Sequence, residues 1–113
     1  MTNKKTGAAP RAHLVREHSI IEAIKRHLRK YGWICWKNHG SGYTEVGLPD
    51  IMAFRNGVFM AIEAKRPGNK PTDMQLHWIE RYKNQGAIAF VAYGVADVER
   101  ELVAAGLSGP IED

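Results

Sequence analysis

Residues 47–65 read GLPDIMAFRNGVFMAIEAK, and this stretch decides the fold. Two apolar runs, Ile51 to Phe54 and Val58 to Ile62, flank Asn56-Gly57. That dipeptide readily supplies the two positive φ angles of a type I′ hairpin turn. With Asn56 and Gly57 as the turn, Arg55 faces Val58, and counting outward pairs Ile51 with Ile62 and Asp50 with Glu63. Side chains alternate faces along a strand, so Lys65 shares a face with Glu63. Three ionisable groups therefore gather at the open end of an otherwise apolar hairpin. Two carboxylates held close repel and raise each other's pKa unless a positive charge lies between them. A divalent metal with a lysine beside it satisfies that need, and the arrangement is nuclease-like.

The segments on either side extend the pattern. Upstream, Ile20, Ile21, Ile24 and Leu28 recur at helical spacing in a helix expected from about His13 to Tyr31, with Gly32 as its stop. Glu17 falls in the middle of that apolar stripe, where a carboxylate is costly unless it is paired or aimed at a metal. Trp33 to Trp36 reads as a first strand. Residues 38–47 form a glycine-rich segment expected to be a loop overhanging the carboxylates, and Pro49 presets an extended lead into Asp50.

Downstream, Arg66 to Pro71 breaks the chain. Thr72 is the expected N-cap of a helix from Asp73 to about Gln85 that carries Met74, Trp78, Ile79 and Tyr82 on one face, with Gly86 as its stop. Ala87 to Tyr93 is a continuous apolar run, expected to be a central strand covered on both sides and parallel to 58–65. A last helix is expected from Asp97, as its cap, to Ala105. The order is helix, three strands, helix, strand, helix. It reads as one domain over residues 13–106, preceded by a basic arm at 1–12 and followed by a tail at 107–113.

Composition narrows the function classes. With 44% hydrophobic and 25% charged residues among 113, the chain suits one globular domain. A lone Cys35 gives neither an intrachain disulfide nor a zinc ligand set, and the five histidines form no i, i+4 ligand pair on either of the first two helices. No apolar run approaches membrane-spanning length and the N-terminus lacks a signal-peptide core, so an intracellular protein with no membrane partner and no organic cofactor is expected. Charge is uneven. Residues 1–40 hold nine Lys and Arg against Glu17 and Glu22, a balance of +7, whereas the remainder holds seven against ten, −3. A basic first third suits a polyanion partner, although a solvated helix face explains Lys25, Arg26, Arg29 and Lys30 equally well.

The chemistry these residues suggest is metal-assisted phosphodiester hydrolysis. Asp50 and Glu63 offer hard oxygen ligands for Mg²⁺ or Mn²⁺, the backbone carbonyl of Ala64 can add a third, and Lys65 can hold or deprotonate a water. Phosphate contacts would come from the N-terminal arm and from Lys25, Arg26, Arg29, Lys30, Lys37, Arg66 and Lys70. Trp33, Trp36, Tyr43 and Trp78 either stack on unpaired bases or belong to core and interface.

Gly47-Leu48-Pro49-Asp50, twelve further residues and then Glu63-Ala64-Lys65 resembles the PD-(D/E)xK nuclease pattern. The leading glycine and the run Glu63-Ala64-Lys65-Arg66-Pro67-Gly68 are similar to its VRR-Nuc branch. That branch includes single-domain phage and bacterial proteins and the C-terminal domain of a eukaryotic interstrand-crosslink repair nuclease. The resemblance spans about residues 17–93 and takes in Glu17 and Gln75. It implies a restriction-endonuclease-like αβββαβ core, a mixed sheet flanked by helices, here with an extra C-terminal helix. It also implies a metal role for Glu17 and a supporting role for Gln75. Stand-alone members resemble Holliday-junction resolvases, which implies a homodimer acting on branched DNA. A flap or nicking nuclease of the same fold, and a catalytically silent nucleic-acid-binding module, are the alternatives.

Overall fold

The computed structural model describes residues 16–38 and 46–110. The expected basic arm and the loop residues 39–45 lie outside them, and the first helix begins at Glu17 and not at about His13, because Arg16 is extended and serves as its N-cap. In chain order the elements are α1 (Glu17–Lys30), β1 (Ile34–Lys37), β2 (Ile51–Arg55), β3 (Val58–Ala64), α2 (Asp73–Asn84), β4 (Ile88–Ala92) and α3 (Val95–Ala104). The α/β architecture, a mixed four-stranded sheet between helices, is the one expected.

The hairpin forms in the register read from its turn. Asn56 has φ 49° and Gly57 φ 84°, both in the left-handed region that a type I′ turn requires. Arg55 faces Val58, and the ladder runs outward to Ile51 opposite Ile62. β1 adds to β2 antiparallel, with Cys35 opposite Ala53, and β4 adds to β3 parallel, with Ala61 opposite Ala89. The sheet order is β1-β2-β3-β4. β4 is thus an edge strand, not the central strand expected from its apolar run. Its residues are apolar because helices cover both faces of the sheet there, and face coverage says nothing about how many neighbours a strand has.

α1 and α3 bury one face of the sheet, in a core of Ile20, Ile24, Leu28, Ile51, Met60, Ile62, Val98 and Leu102. α2 covers part of the other face, where Ile79 packs on Met52, Ala61 and Ala89. All three helices end alike. The amides of Trp33, Ala87 and Leu107 reach back to the carbonyls of Leu28, Tyr82 and Leu102, the long bond of a Schellman motif. Thr72 caps α2 in a reciprocal box with Gln75.

Three further expectations are corrected. The first strand covers Ile34–Lys37, one residue later than read, because Trp33 completes the end of α1. α3 begins at Val95 behind Gly94, and Asp97 is not its cap. Asp97 lies inside the first turn and accepts a hydrogen bond from the Tyr93 amide at 2.7 Å, which holds its carboxyl below the usual range. The segment taken as a tail is anchored as far as Gly109. Buried Arg55 donates to the carbonyls of Tyr31, Leu107 and Gly109 at 3.1, 3.0 and 2.6 Å, and its guanidinium lies 4.9 Å from the Trp33 ring centroid.

Candidate active site

Strand direction concentrates the chemistry at one end of the sheet. β2 runs opposite to its neighbours, so the end where β1, β3 and β4 finish is the end where β2 begins. Asp50 immediately precedes β2, Glu63 lies next to last in β3, and Lys65 follows it. The turn after α1 sends β1 back along the helix, so Glu17, the first residue of α1, reaches the same end. Carboxylate oxygens of Glu17, Asp50 and Glu63 all lie within 4.8 Å of one another. The four residues read from the sequence as the core of a site are therefore gathered in space. The correction concerns Glu17, which is half-buried at the helix start and not deep in the packed stripe.

Each carboxylate sits in a different environment. One oxygen of Asp50 accepts the Ala64 amide at 2.9 Å. Glu63 is 1% exposed, and neither of its oxygens has a hydrogen-bond partner. Lys65 brings its ammonium to 3.9 Å from Glu63 without closing a hydrogen bond. Burial first, and then the charge of Asp50, pushes the Glu63 carboxyl up to about 9, with Lys65 pulling the other way. One lysine among three carboxylates leaves an excess of negative charge in a poorly hydrated place. Orphaned buried oxygens in such a setting fit a hard divalent cation, and these residues are the right type and number to hold one.

Supports for Asp50 come from both sides. Asn38 donates its backbone amide to the Asp50 carbonyl at 2.7 Å and its side-chain amide to the Pro49 carbonyl at 2.7 Å. On the other side, the Trp78 indole donates to the Val46 carbonyl at 3.1 Å, tying α2 to the segment that leads into the site. Gly47 makes that approach possible. Its φ is +86°, and a Cβ there would stand 2.7 Å from Met74 Cγ and 3.0 Å from the Met74 backbone. Sequence reasoning missed Asn38 and the brace from Trp78, because a donor aimed at a distant main-chain carbonyl leaves no pattern in residue types.

Gln75 accepts the Thr72 amide through its side-chain oxygen at 2.8 Å, which leaves its NH₂ as the group able to donate elsewhere. Lys37 is the last residue of β1, opposite Ile51, and Arg66 and Lys70 lie in the connection after β3, at the carboxylate end. Lys25, Arg26, Arg29 and Lys30 lie about 12 to 20 Å along the α1 axis from Glu17 at 1.5 Å per residue. Lys25 is paired with Glu22 at 2.9 Å, and Arg29 donates to the Cys35 carbonyl.

The VRR-NUC domain model matches residues 12–96, a span that includes every element from α1 to β4 and all four clustered residues. This chain belongs to the VRR-NUC domain family. A protein of Acyrthosiphon pisum secondary endosymbiont phage 1 named "Putative nuclease p44" is 41% identical over 64 residues, 56% of this chain and 67% of that one. A solved structure described as a VRR_NUC domain superposes with a TM-score of 0.64 at 27% identity, covering 78% of this chain and 94% of the other. The VRR-NUC fold therefore carries the carboxylate cluster, and the chain is a nuclease-family protein. Among the described residues no helix is long and apolar enough to cross a membrane.

Proposed function

We propose that this VRR-NUC protein is a divalent-metal-dependent endodeoxyribonuclease selective for DNA structure, with four-way junctions as its preferred substrate. The observation that carries the chemistry is the set of oxygens from Glu17, Asp50 and Glu63 within 4.8 Å of one another, with the Lys65 ammonium 3.9 Å from Glu63. A Mg²⁺ or Mn²⁺ ion held by these carboxylates and the Ala64 carbonyl would supply polarisation of a scissile phosphate oxygen and of the attacking water. Lys65 orients that water and offsets the negative charge that grows on the phosphate as the P–O bond breaks. Gln75, tethered by Thr72, supports the site through its NH₂ group.

Phosphates on either side of the cut are contacted by Lys37, Arg66 and Lys70 near the carboxylates and by Lys25, Arg26, Arg29 and Lys30 along α1. Such contacts report backbone shape and not base sequence. One small domain cutting a branched duplex in two strands needs two sites, which supports a homodimer. The protein works inside a cell, or in the host cytoplasm if it is phage-encoded, where its DNA substrate is found.

Purified protein tested on labelled four-way, flapped, nicked and linear DNA decides the reading. Cleavage is expected with Mg²⁺ or Mn²⁺, greatest on the four-way junction, and absent in excess EDTA. Lys65→Ala should lose about 100-fold or more in rate, and Glu17→Gln should raise the metal concentration required. Undiminished cleavage in EDTA overturns the metal route, preference for flaps or nicks moves the substrate, and binding without cleavage under every condition leaves a silent nucleic-acid-binding module.

A further inference from the structure

α2 covers only half of its face of the sheet. Over β3 and β4 it buries Ala61 and Ala89 beneath Ile79, but among the described residues no helix packs on this face over β1 and the end of β2. Ile34 is 68% exposed, Trp36 43% and Phe54 42%. Ile34 stands opposite Phe54 and Trp36 opposite Met52, so this is one continuous apolar row. Its inner boundary is aromatic. Phe54 meets Phe59 edge to face, Phe59 stacks on Tyr82 at an interplanar angle of 8°, and Tyr82 adjoins Trp78. Exposed Arg81 places its guanidinium 5.1 Å from the Trp78 ring centroid.

Alternation makes this the face that carries the candidate site. Met52 is two residues from Asp50, and its partner Ala61 is two residues from Glu63, so all four side chains point the same way. At about 3.4 Å per residue, the row of Trp36 and Met52 lies about 7 Å from the carboxylates. For a strand laid along β2, that row meets bases within about two nucleotides of the phosphate being cut, taking about 3.4 Å per nucleotide as the shortest, fully stacked spacing. A strand laid along β1 and β2 into the carboxylates crosses it, whereas a second protein copy seated there would overlie that approach. Duplex DNA presents phosphates and sugars outward, for which an uncharged row of Ile34, Trp36 and Phe54 offers no partner. Unpaired bases present flat apolar faces that suit it.

We infer that the open β1–β2 face, centred on Trp36, is a stacking platform for unpaired bases of the strand whose phosphate enters the carboxylate site. This rests on the nuclease reading for the identity of the strand, and adds that bases near the cut are unpaired from their complement. Arg81 supplies a cation at the far side, and the ring chain from Phe54 to Trp78 supplies the wall.

The test measures binding of the full-length protein in EDTA, where cleavage does not intervene. Fluorescein-labelled dT12 and a 12-nucleotide abasic strand of equal charge are compared by anisotropy. Wild type should bind dT12 about five-fold or more tightly than the abasic strand. Trp36→Leu, which keeps apolar bulk without a π face, should lose that difference, and Trp36→Tyr should keep most of it. Both variants are checked for an unchanged melting temperature. Equal binding of the two strands by wild type overturns the proposal without requiring any variant. So does a Trp36→Leu protein that retains the full difference, or one whose sole change is a lower solution mass, which would make the row a protein-docking face. Failure of the nuclease reading is separate and visible, since it would show as no cleavage of any DNA with metal present.

Discussion

The amide of Ala64 in β3 donates to one carboxylate oxygen of Asp50 at 2.9 Å, so the residue just before β2 is held by the backbone of the strand beside it. The bond fixes Asp50 without consuming its charge, and it makes two substitutions separable. Asp50→Asn keeps an acceptor for the amide and removes the charge that opposes Glu63. It should fold at least as stably as wild type in EDTA while losing about 100-fold or more in cleavage. Asp50→Ala leaves the buried amide unpaired and should be less stable than Asp50→Asn by about 1–3 kcal/mol. Urea melts of the two variants check this, and equal stabilities would mean that the bond contributes nothing.

Glu63 couples stability to pH. Its folded-state carboxyl is raised from 4.5 to about 9, so the folded protein binds its proton more tightly than the unfolded chain does. The stability associated with this group is fully present below about 4.5 and is lost as pH rises toward 9. In EDTA the melting temperature of wild type should therefore fall, relative to Glu63→Gln, between pH 5 and pH 9. Added Mg²⁺ or Mn²⁺ should offset the fall by binding the ionised cluster. A wild type that gains stability relative to Glu63→Gln over that range contradicts the account.

Gly47 combines a left-handed backbone with close packing, and the two costs can be told apart. Gly68 has a similar φ of +90° but no heavy atom within 4 Å of its missing Cβ, whereas a Cβ on Gly47 would press on Met74. Gly68→Ala should cost about 1 kcal/mol from backbone strain alone. Gly47→Ala should cost at least about 1 kcal/mol more, and should also lower cleavage by shifting the segment that carries Asp50. Chemical denaturation of both variants, with a cleavage assay on each, reads the two effects.

Arg55 joins the hairpin to the chain beyond α3. Replacing it with Ala removes three charge-assisted bonds to carbonyls and the cation over Trp33, and should destabilise the fold by about 3 kcal/mol. Arg55→Lys should recover only part of this, because a single ammonium cannot reproduce the forked donors. The check is urea unfolding of both, and a full rescue by Lys would show that charge alone matters.

How much of this was legible depended on how far apart the cooperating residues lie in the chain. The hairpin register was readable because turn chemistry at Asn56-Gly57 and side-chain alternation are local rules, and together they bring Asp50 to Glu63 and align Lys65 with them. The Thr72 cap and the glycine stops of the helices were readable for the same reason. Other features turn on contacts between distant segments. Arg55 looked like an ordinary hairpin residue until the chain after α3 supplied the carbonyls it binds, and Asp97 looked like a cap until the Tyr93 amide took its carboxylate.

The sequence by itself determined the order of elements, the pairing of β2 with β3 and the identity of the carboxylates, because periodicity and turn type act over a few residues. Only the tertiary structure decided that β4 lies at the edge of the sheet, that Glu17 enters the cluster from the start of α1, and that among the described residues no helix covers the β1 side of the face beside the carboxylates. The reason is physical. An apolar residue records that it is covered, but not by which element, and a hydrogen bond to a main-chain carbonyl leaves no trace in the residue that accepts it.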